Sequence, residues 1–144
     1  EQRYLFMQAD ICRYFGLKAL KEKRKVPGLL LEADSAFSRL YSKGGTPVRS
    51  FYQSGIVSTR HDSLRIIRNM PYSYLYGQLE YYLEQNFMLP VADGIRVSDP
   101  IDISLPGKLL DEPNLENLRS ALKEWGIRIT PTILEIDVLV IKKE

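Results

Sequence analysis

Several residue types and motifs are scarce in this sequence of 144 residues, beginning with cysteine and histidine, which occur once each. The single cysteine, Cys12, allows no internal disulfide and no C-x-x-C motif. The single histidine, His61, has no cysteine cluster with which to build a zinc site, so we assign it to a turn. No apolar run approaches the roughly 20 residues that span a bilayer. This stretch of chain therefore carries no signal for a disulfide scaffold, a zinc site or a membrane span.

Motifs for catalysis are missing as well. No Gly-x-Ser-x-Gly elbow frames a nucleophile, and Gly44-Gly45 lacks the lysine and the helix of a phosphate-binding loop. Four aspartates lie between the second and third predicted helices: Asp93, Asp99, Asp102 and Asp111. Their spacing is not that of an EF-hand, which favours turn and capping roles over calcium binding. We expect no catalytic residue, no metal site and no cofactor.

What is present is typical of an ordinary folded domain. Hydrophobic residues make up 44% of the chain and charged residues 26%, with 20 basic and 18 acidic side chains. These values predict that residues 1–144 form a single domain. They exclude a disordered tail, because the apolar content is normal and the net charge of +2 is small.

Hydrophobic periodicity predicts three helices, over residues 4–15, 71–85 and 114–125. In the first, an apolar stripe containing Ile11, Cys12 and Phe15 is expected to face the core, with Cys12 as a small buried residue. Strands are predicted at residues 17–23, 28–33, 89–92, 101–105, 127–134 and 135–143. The apolar run from Val138 to Ile141 indicates a central strand that is covered on both faces.

Residues 35–60 form a serine-rich excursion that is too long for a plain loop. We expect an extra hairpin strand there, at residues 51–58, pairing with residues 64–68 around a turn at residues 60–62. The excursion is treated as part of the same single domain.

A weak repeat marks the ends of the predicted helices. Tyr14-Phe15-Gly16 and Glu124-Trp125-Gly126 each join a helix to strands, and Asn86-Phe87-Met88 stands in the matching place after the second helix. Glycine accepts the left-handed conformation that ends a helix. The predicted fold is α+β: one mixed, mainly antiparallel sheet with about three helices on one face, built from helix–strand–strand units.

Two groups of side chains are candidates for binding. Residues 18–25 carry a net charge of +4 in a predicted hairpin; we select Lys21, Lys23, Arg24 and Lys25. Lysines on a strand edge also prevent unwanted strand pairing, and that role is favoured. On the second helix, Tyr74 and Tyr81 share a side away from the core stripe. Exposed tyrosines are typical of interfaces, although packing against the excursion explains them equally well.

Four segments, in order, resemble a soil-associated bacterial family of unknown function. Residues 11–18 (ICRYFGLK) and 22–31 (EKRKVPGLLL) are similar to its RFGLK and ETREMPVYALVV hairpin. Residues 67–70 (IRNM), with Leu75 and Leu79, resemble the family's RNMTMAQLA segment at the start of a helix. Residues 89–93 (LPVAD) resemble its RPVVDKTGL strand. Residues 118–141 are similar to its closing ALQEQLGLKLEP and PVEVLVID segments. After Asp93 the family's Thr-Gly-Leu-x-Gly stretch is replaced by GIRVSDP.

The resemblance implies an extracytoplasmic bacterial domain, in the periplasm or cell envelope. In relatives it forms the C-terminal part of a longer protein, fused to a membrane metallopeptidase-type sensor or a thioredoxin-like module. Because the chain starts at Glu1 without a methionine, we expect a preceding segment, and membrane contact only through that segment. The family has no assigned catalytic residues that this chain would inherit.

Together these observations favour a non-enzymatic binding, sensor or accessory domain of a longer cell-envelope protein. Its expected partner is a protein or an envelope component, including an upstream domain of the same chain. The alternative is an accessory domain of a thiol-disulfide oxidoreductase or membrane peptidase. A third class is binding of nucleic acid or another anionic polymer through the basic hairpin. We do not expect nucleic acid, because no aromatic and glycine RNA motif accompanies the charge.

Overall fold

A computed structural model of the protein describes residues 2–51 and 64–143. The helices are α1 (Gln2–Phe15), α2 (Tyr72–Phe87), α3 (Lys108–Asp111) and α4 (Leu115–Glu124), with a short 3₁₀ helix at Ser35–Leu40. The strands are β1 (Leu17–Ala33), β2 (Val48–Ser50), β3 (Leu64–Pro71), β4 (Val91–Asp93), β5 (Pro100–Pro106) and β6 (Ile127–Lys143). The three predicted helices are present as α1, α2 and α4.

The strands form two sheets of three strands each, in the orders β4-β1-β6 and β2-β3-β5. The first contains the parallel pair of β1 with β4, and the second is antiparallel throughout. The α+β fold class is therefore confirmed, and the prediction of one sheet is wrong.

The chain divides into two compact units, which we describe separately. Pro27–Thr132 form the core unit, and Glu1–Val26 with Ile133–Glu144 form the terminal unit. Strands β1 and β6 contribute residues to both. The single-domain organisation stays a prediction.

The hydrophobic core lies in the core unit, which holds every buried hydrophobic side chain of the described residues. On α2 the buried positions follow the predicted helical spacing: Leu75, Leu79, Tyr82 and Leu83. From the second sheet, Ile67, Ile101, Ile103 and Leu105 are buried on one face. Alternation along β5 leaves Asp102 and Ser104 on the opposite face.

Residues 17–33 form one strand rather than the predicted hairpin. The backbone N–H of Leu29 donates to the Pro90 carbonyl, at 2.9 Å, on the β4 side of β1. Backbone N–H groups two residues apart point to the same side of a strand, so the nitrogen of Pro27 also faces β4. However, β4 pairs only with Leu29–Leu31. Pro27 therefore interrupts no ladder bond, and the strand continues through it.

The C-terminal strands are likewise continuous, as β6. It lies at an edge of its sheet, not at the centre. Leu139 is 52% exposed and Ile141 is 59% exposed, while Val138 and Val140 are half-buried. The prediction of a central strand covered on both faces is wrong, because the described structure covers only part of this apolar run. The prediction of helix–strand–strand units is also wrong, because α1 and α4 are each followed by one continuous strand of 17 residues.

The 35–60 excursion contains the 3₁₀ helix and β2. Phe37 and Leu40 of the 3₁₀ helix are buried, so this segment is part of the core rather than a surface loop. An extra strand does pair with β3, with Val48 opposite Arg68 and Ser50 opposite Ile66, but it ends before the predicted range begins. Residues 52–58 of the predicted strand, the predicted turn at residues 60–62 and His61 lie outside the described residues.

The three long helices all end at a residue with left-handed backbone. These are Gly16 (φ 60°), Met88 (φ 55°) and Gly126 (φ 78°), the three places matched by the sequence repeat. At Gly126 a side chain would also overlap the backbone of Ala36 and Phe37. The Gly126 carbonyl accepts from the Asp34 backbone N–H at 2.9 Å, which fixes the end of α4 against the start of the 3₁₀ helix.

Candidate binding surfaces

Three of the four aspartates named from the sequence have structural partners. Asp93 accepts from the Ile95 backbone N–H (2.9 Å) and the Tyr72 hydroxyl (3.1 Å). Burial of Tyr72, together with the Asp93 carboxylate, raises the pKa of its hydroxyl above the usual range. Asp111 pairs with Arg65 at 2.9 Å, and Asp102 accepts from the Asn69 backbone N–H at 2.7 Å. No group of three potential metal ligands occurs within residues 2–51 and 64–143.

The two tyrosines selected from the sequence lie on α2 in the core unit. Tyr81 is 43% exposed. Tyr74 is half-buried against the core, and its ring centroid lies 5.8 Å from the guanidinium carbon of Arg49. This cation–π contact and the core packing occupy much of the Tyr74 ring. A binding role for either tyrosine stays a prediction.

The selected basic residues lie on β1 in the terminal unit, where Lys21, Lys23, Arg24 and Lys25 are all exposed. Two of them face carboxylates: Lys23 Nζ lies 3.1 Å from Glu135 Oε1, and Arg24 Nη2 lies 3.1 Å from Glu22 Oε2. The hydrogen bond from Arg24, with help from Lys142, holds the pKa of Glu22 below its usual value. The basic cluster is thus partly neutralised.

Sequence reasoning missed the apolar surface of the terminal unit. None of this unit's described side chains is buried. It carries eight of the twelve exposed large hydrophobic side chains in the described structure: Phe6, Met7, Ile11, Tyr14, Phe15, Ile133, Leu139 and Ile141. Compact proteins rarely leave large apolar areas open, and such areas mark interaction sites.

On α1 the exposed positions share one side of the helix. Met7, Ile11 and Tyr14 follow the i, i+4, i+7 spacing of a single stripe, and Tyr14 is 83% exposed. The sequence reasoning placed Ile11 and Phe15 in the core, which is wrong, and Cys12 is half-buried rather than buried. The exposed stripe at Met7, Ile11 and Tyr14 is therefore not the predicted one, and no described residue buries it.

On β6 the exposed apolar side chains alternate with carboxylates. Ile133, Leu139 and Ile141 point to the same face of the strand as Glu135 and Asp137, because side chains two residues apart share a face. As an edge strand, β6 also offers backbone groups to an added strand.

No helix in the described part of the chain is both long and apolar enough to cross a membrane. Comparisons of the whole chain with protein-family models, with curated proteins and with solved structures give no match.

Proposed function

We propose that this protein is a non-enzymatic binding module that holds a partner protein through its terminal unit. One observation carries the proposal: this unit places no described side chain in the core and exposes eight large hydrophobic ones. Covering such side chains on a partner would contribute about 25 cal/mol for each square ångström of apolar surface removed from water.

The charges of the terminal unit indicate the chemistry of that partner. Its sequence has nine basic and six acidic residues, a net charge of +3. A partner with an apolar surface bordered by carboxylates complements it, whereas two copies of the unit repel each other. We therefore commit to a different, acidic protein.

Two recognition modes are supported by the elements present. The α1 stripe at Met7, Ile11 and Tyr14 has the spacing of a helix that lies in an apolar groove. The open edge of β6 suits an added strand. Both would leave the core unit unchanged. The resemblance described above supports placing this interaction in the bacterial cell envelope, as part of a longer protein.

The proposal is tested by photo-cross-linking in the native host. A photoreactive residue replaces Tyr14 or Ile141, and in the control it replaces Met88, an exposed residue of the core unit. We expect one protein to cross-link at both terminal-unit positions and not at Met88. That protein is then purified and its affinity for the full chain is measured.

The interface is then probed with substitutions on the two surfaces. Tyr14→Lys and Leu139→Lys should each weaken binding at least tenfold, since each loses a buried anchor and buries a charge. Met88→Lys should change it less than twofold. Cross-links only between copies of this chain, binding only to anionic vesicles, or equal affinities for all three variants would refute the proposal.

A further inference from the structure

The core unit contains a groove that none of the features above uses. It consists of two adjoining cavities, of about 670 Å³ and 310 Å³, which share Arg39, Ser104 and Trp125. The smaller lies over the face of the second sheet that points away from the core, where Ile66, Asp102 and Ser104 are half-buried. We call the pair the Trp125 groove. Its size is that of a small-molecule or oligomer site.

Two aromatic rings border the smaller cavity. Trp125 follows α4 and packs partly against the core, and Tyr41 follows the 3₁₀ helix and is 44% exposed. The close contact of Gly126 with the backbone of Phe37 fixes the segments that carry both rings. Two aromatic rings thus border the cavity, and an aromatic ring is a surface on which the C–H face of a sugar ring packs.

Positive charge dominates the same cavity. Arg39, Lys43 and Arg68 line it, and Asp102 is the one carboxylate among its described lining residues. Asp102 already accepts from the backbone N–H of Asn69 and interacts with the Ser42 hydroxyl, the Lys43 backbone N–H and Arg68. Asp102 is therefore held by the backbone and by Arg68, and Arg39 donates to the Glu124 carbonyl at 3.4 Å. Lys43 and the other N–H groups of Arg39 are left to contact an anionic ligand.

The larger cavity offers a different set of groups. Asn117, Ser120 and Glu124 of α4 line it together with Leu105 and Leu109. Carboxylate, amide and hydroxyl oxygens accept hydrogen bonds from ligand hydroxyl groups. Glu124 repels a ligand that carries a charge on every unit along its length.

We propose that the Trp125 groove binds an acidic oligosaccharide, with a sugar carboxylate on Arg39 and Lys43, a ring against Trp125 and hydroxyl groups on Asn117 and Glu124. A ligand of this class can contact the cations, the aromatic rings and the hydrogen-bond acceptors of the groove at the same time. A single-stranded nucleic acid would place a phosphate near Glu124, and an acidic peptide offers fewer donors to the acceptors of α4 than a sugar, which carries a hydroxyl group on most of its carbons.

Trp125 is the only tryptophan in the chain, so its fluorescence reports directly on the groove. The full chain is titrated with a hyaluronan tetrasaccharide, in which charged and neutral sugars alternate, and, separately, with its neutral methyl ester. We expect the acid to shift Trp125 emission saturably, with affinity decreasing as salt is added. The methyl ester should bind at least about tenfold more weakly, because it lacks the charge-assisted bonds.

Arg39→Gln and Lys43→Gln should each weaken binding of the acidic tetrasaccharide by about five- to tenfold. Lys108→Gln is the matched control, an exposed cation outside the groove that should leave the affinity unchanged. Far-ultraviolet circular dichroism confirms that each variant folds. The proposal fails if the methyl ester binds equally well, if an oligothymidylate or hexaglutamate binds as tightly, or if no saturable shift occurs at millimolar acid.

Discussion

Asp102 Oδ1 accepts a 2.7 Å hydrogen bond from the backbone N–H of Asn69, across an irregular step in β3. Asn69 has a left-handed backbone (φ 48°), and the pairing register with β5 shifts between Ile67 and Met70. The Asn69 side chain in turn donates to the Gly45 carbonyl at 2.7 Å. One carboxylate thus supports the bulge and the loop at residues 42–45.

Removing this carboxylate should destabilise the core unit. Asp102→Ala leaves backbone donors in a partly buried place without their acceptor, which we expect to lower the free energy of unfolding by about 1–3 kcal/mol. Urea denaturation measures the change. Asp99→Ala, at an exposed position of the same region, is the control and should stay within about 0.5 kcal/mol. Equal effects of the two substitutions would contradict the role given to Asp102.

The same carboxylate should make stability depend on pH in the acid range. Burial alone raises the pKa of Asp102, but the N–H of Asn69, the Ser42 hydroxyl, the Lys43 N–H and Arg68 lower it more. Its contribution is therefore complete above the unfolded-state pKa of about 3.9 and is lost as the pH falls through the lower folded-state pKa. Denaturation at several pH values should show the wild type and Asp102→Asn converging below about pH 4. A constant difference down to about pH 2 would contradict this assignment.

The two helix-ending glycines should differ in their tolerance of a side chain. Gly16→Ala places a left-handed alanine in open space and should cost about 1 kcal/mol. Gly126→Ala adds an overlap with the backbone of Ala36 and Phe37, so we expect at least about 3 kcal/mol. Thermal and urea unfolding of both variants test this. Comparable losses would show that the 3₁₀ helix moves to accommodate the methyl group.

The ion pair between Arg65 and Asp111 is shielded, with side chains 14% and 13% exposed. Arg65→Met leaves a carboxylate in a low-dielectric site and should cost about 2–4 kcal/mol. Lys108→Met breaks a pair with Glu112 at 3.8 Å in which both side chains are mostly exposed, and should cost less than about 0.5 kcal/mol. Urea midpoints compare the two. Adding Asp111→Leu to Arg65→Met should recover part of the loss, and a further drop would argue against charge burial as its cause.

Sequence patterns located the helices well because their signals are local. The buried stripe of α2, the Asn114 side chain that caps α4 and the left-handed Gly16 and Gly126 are all set by residues within a few positions. The strands were harder. The sequence predicts a hairpin where residues 17–33 form one strand, because whether the chain can continue through Pro27 depends on how far β4 extends beside β1, which is set by the tertiary structure.

Binding surfaces were the least predictable part. An apolar stripe on a helix has the same sequence signature whether a core or a partner covers it, which is why the pattern predicts a core position for Ile11 and Phe15 although both are exposed. The Trp125 groove has no local signature, since Arg39, Lys43, Arg68 and Trp125 come from separate segments. They line one cavity through the pairing of β3 with β5 and the contact of Gly126 with the 3₁₀ helix.

Met88 ends α2 in a conformation that glycine adopts at the ends of α1 and α4. Its side chain is 84% exposed, so it gains little packing in exchange for a backbone strain of about 1 kcal/mol. Replacing Met88 with glycine should therefore raise the free energy of unfolding by about 1 kcal/mol. A glycine there would give engineers a more tolerant background, in which destabilising substitutions at the groove or on α1 are made without losing the fold.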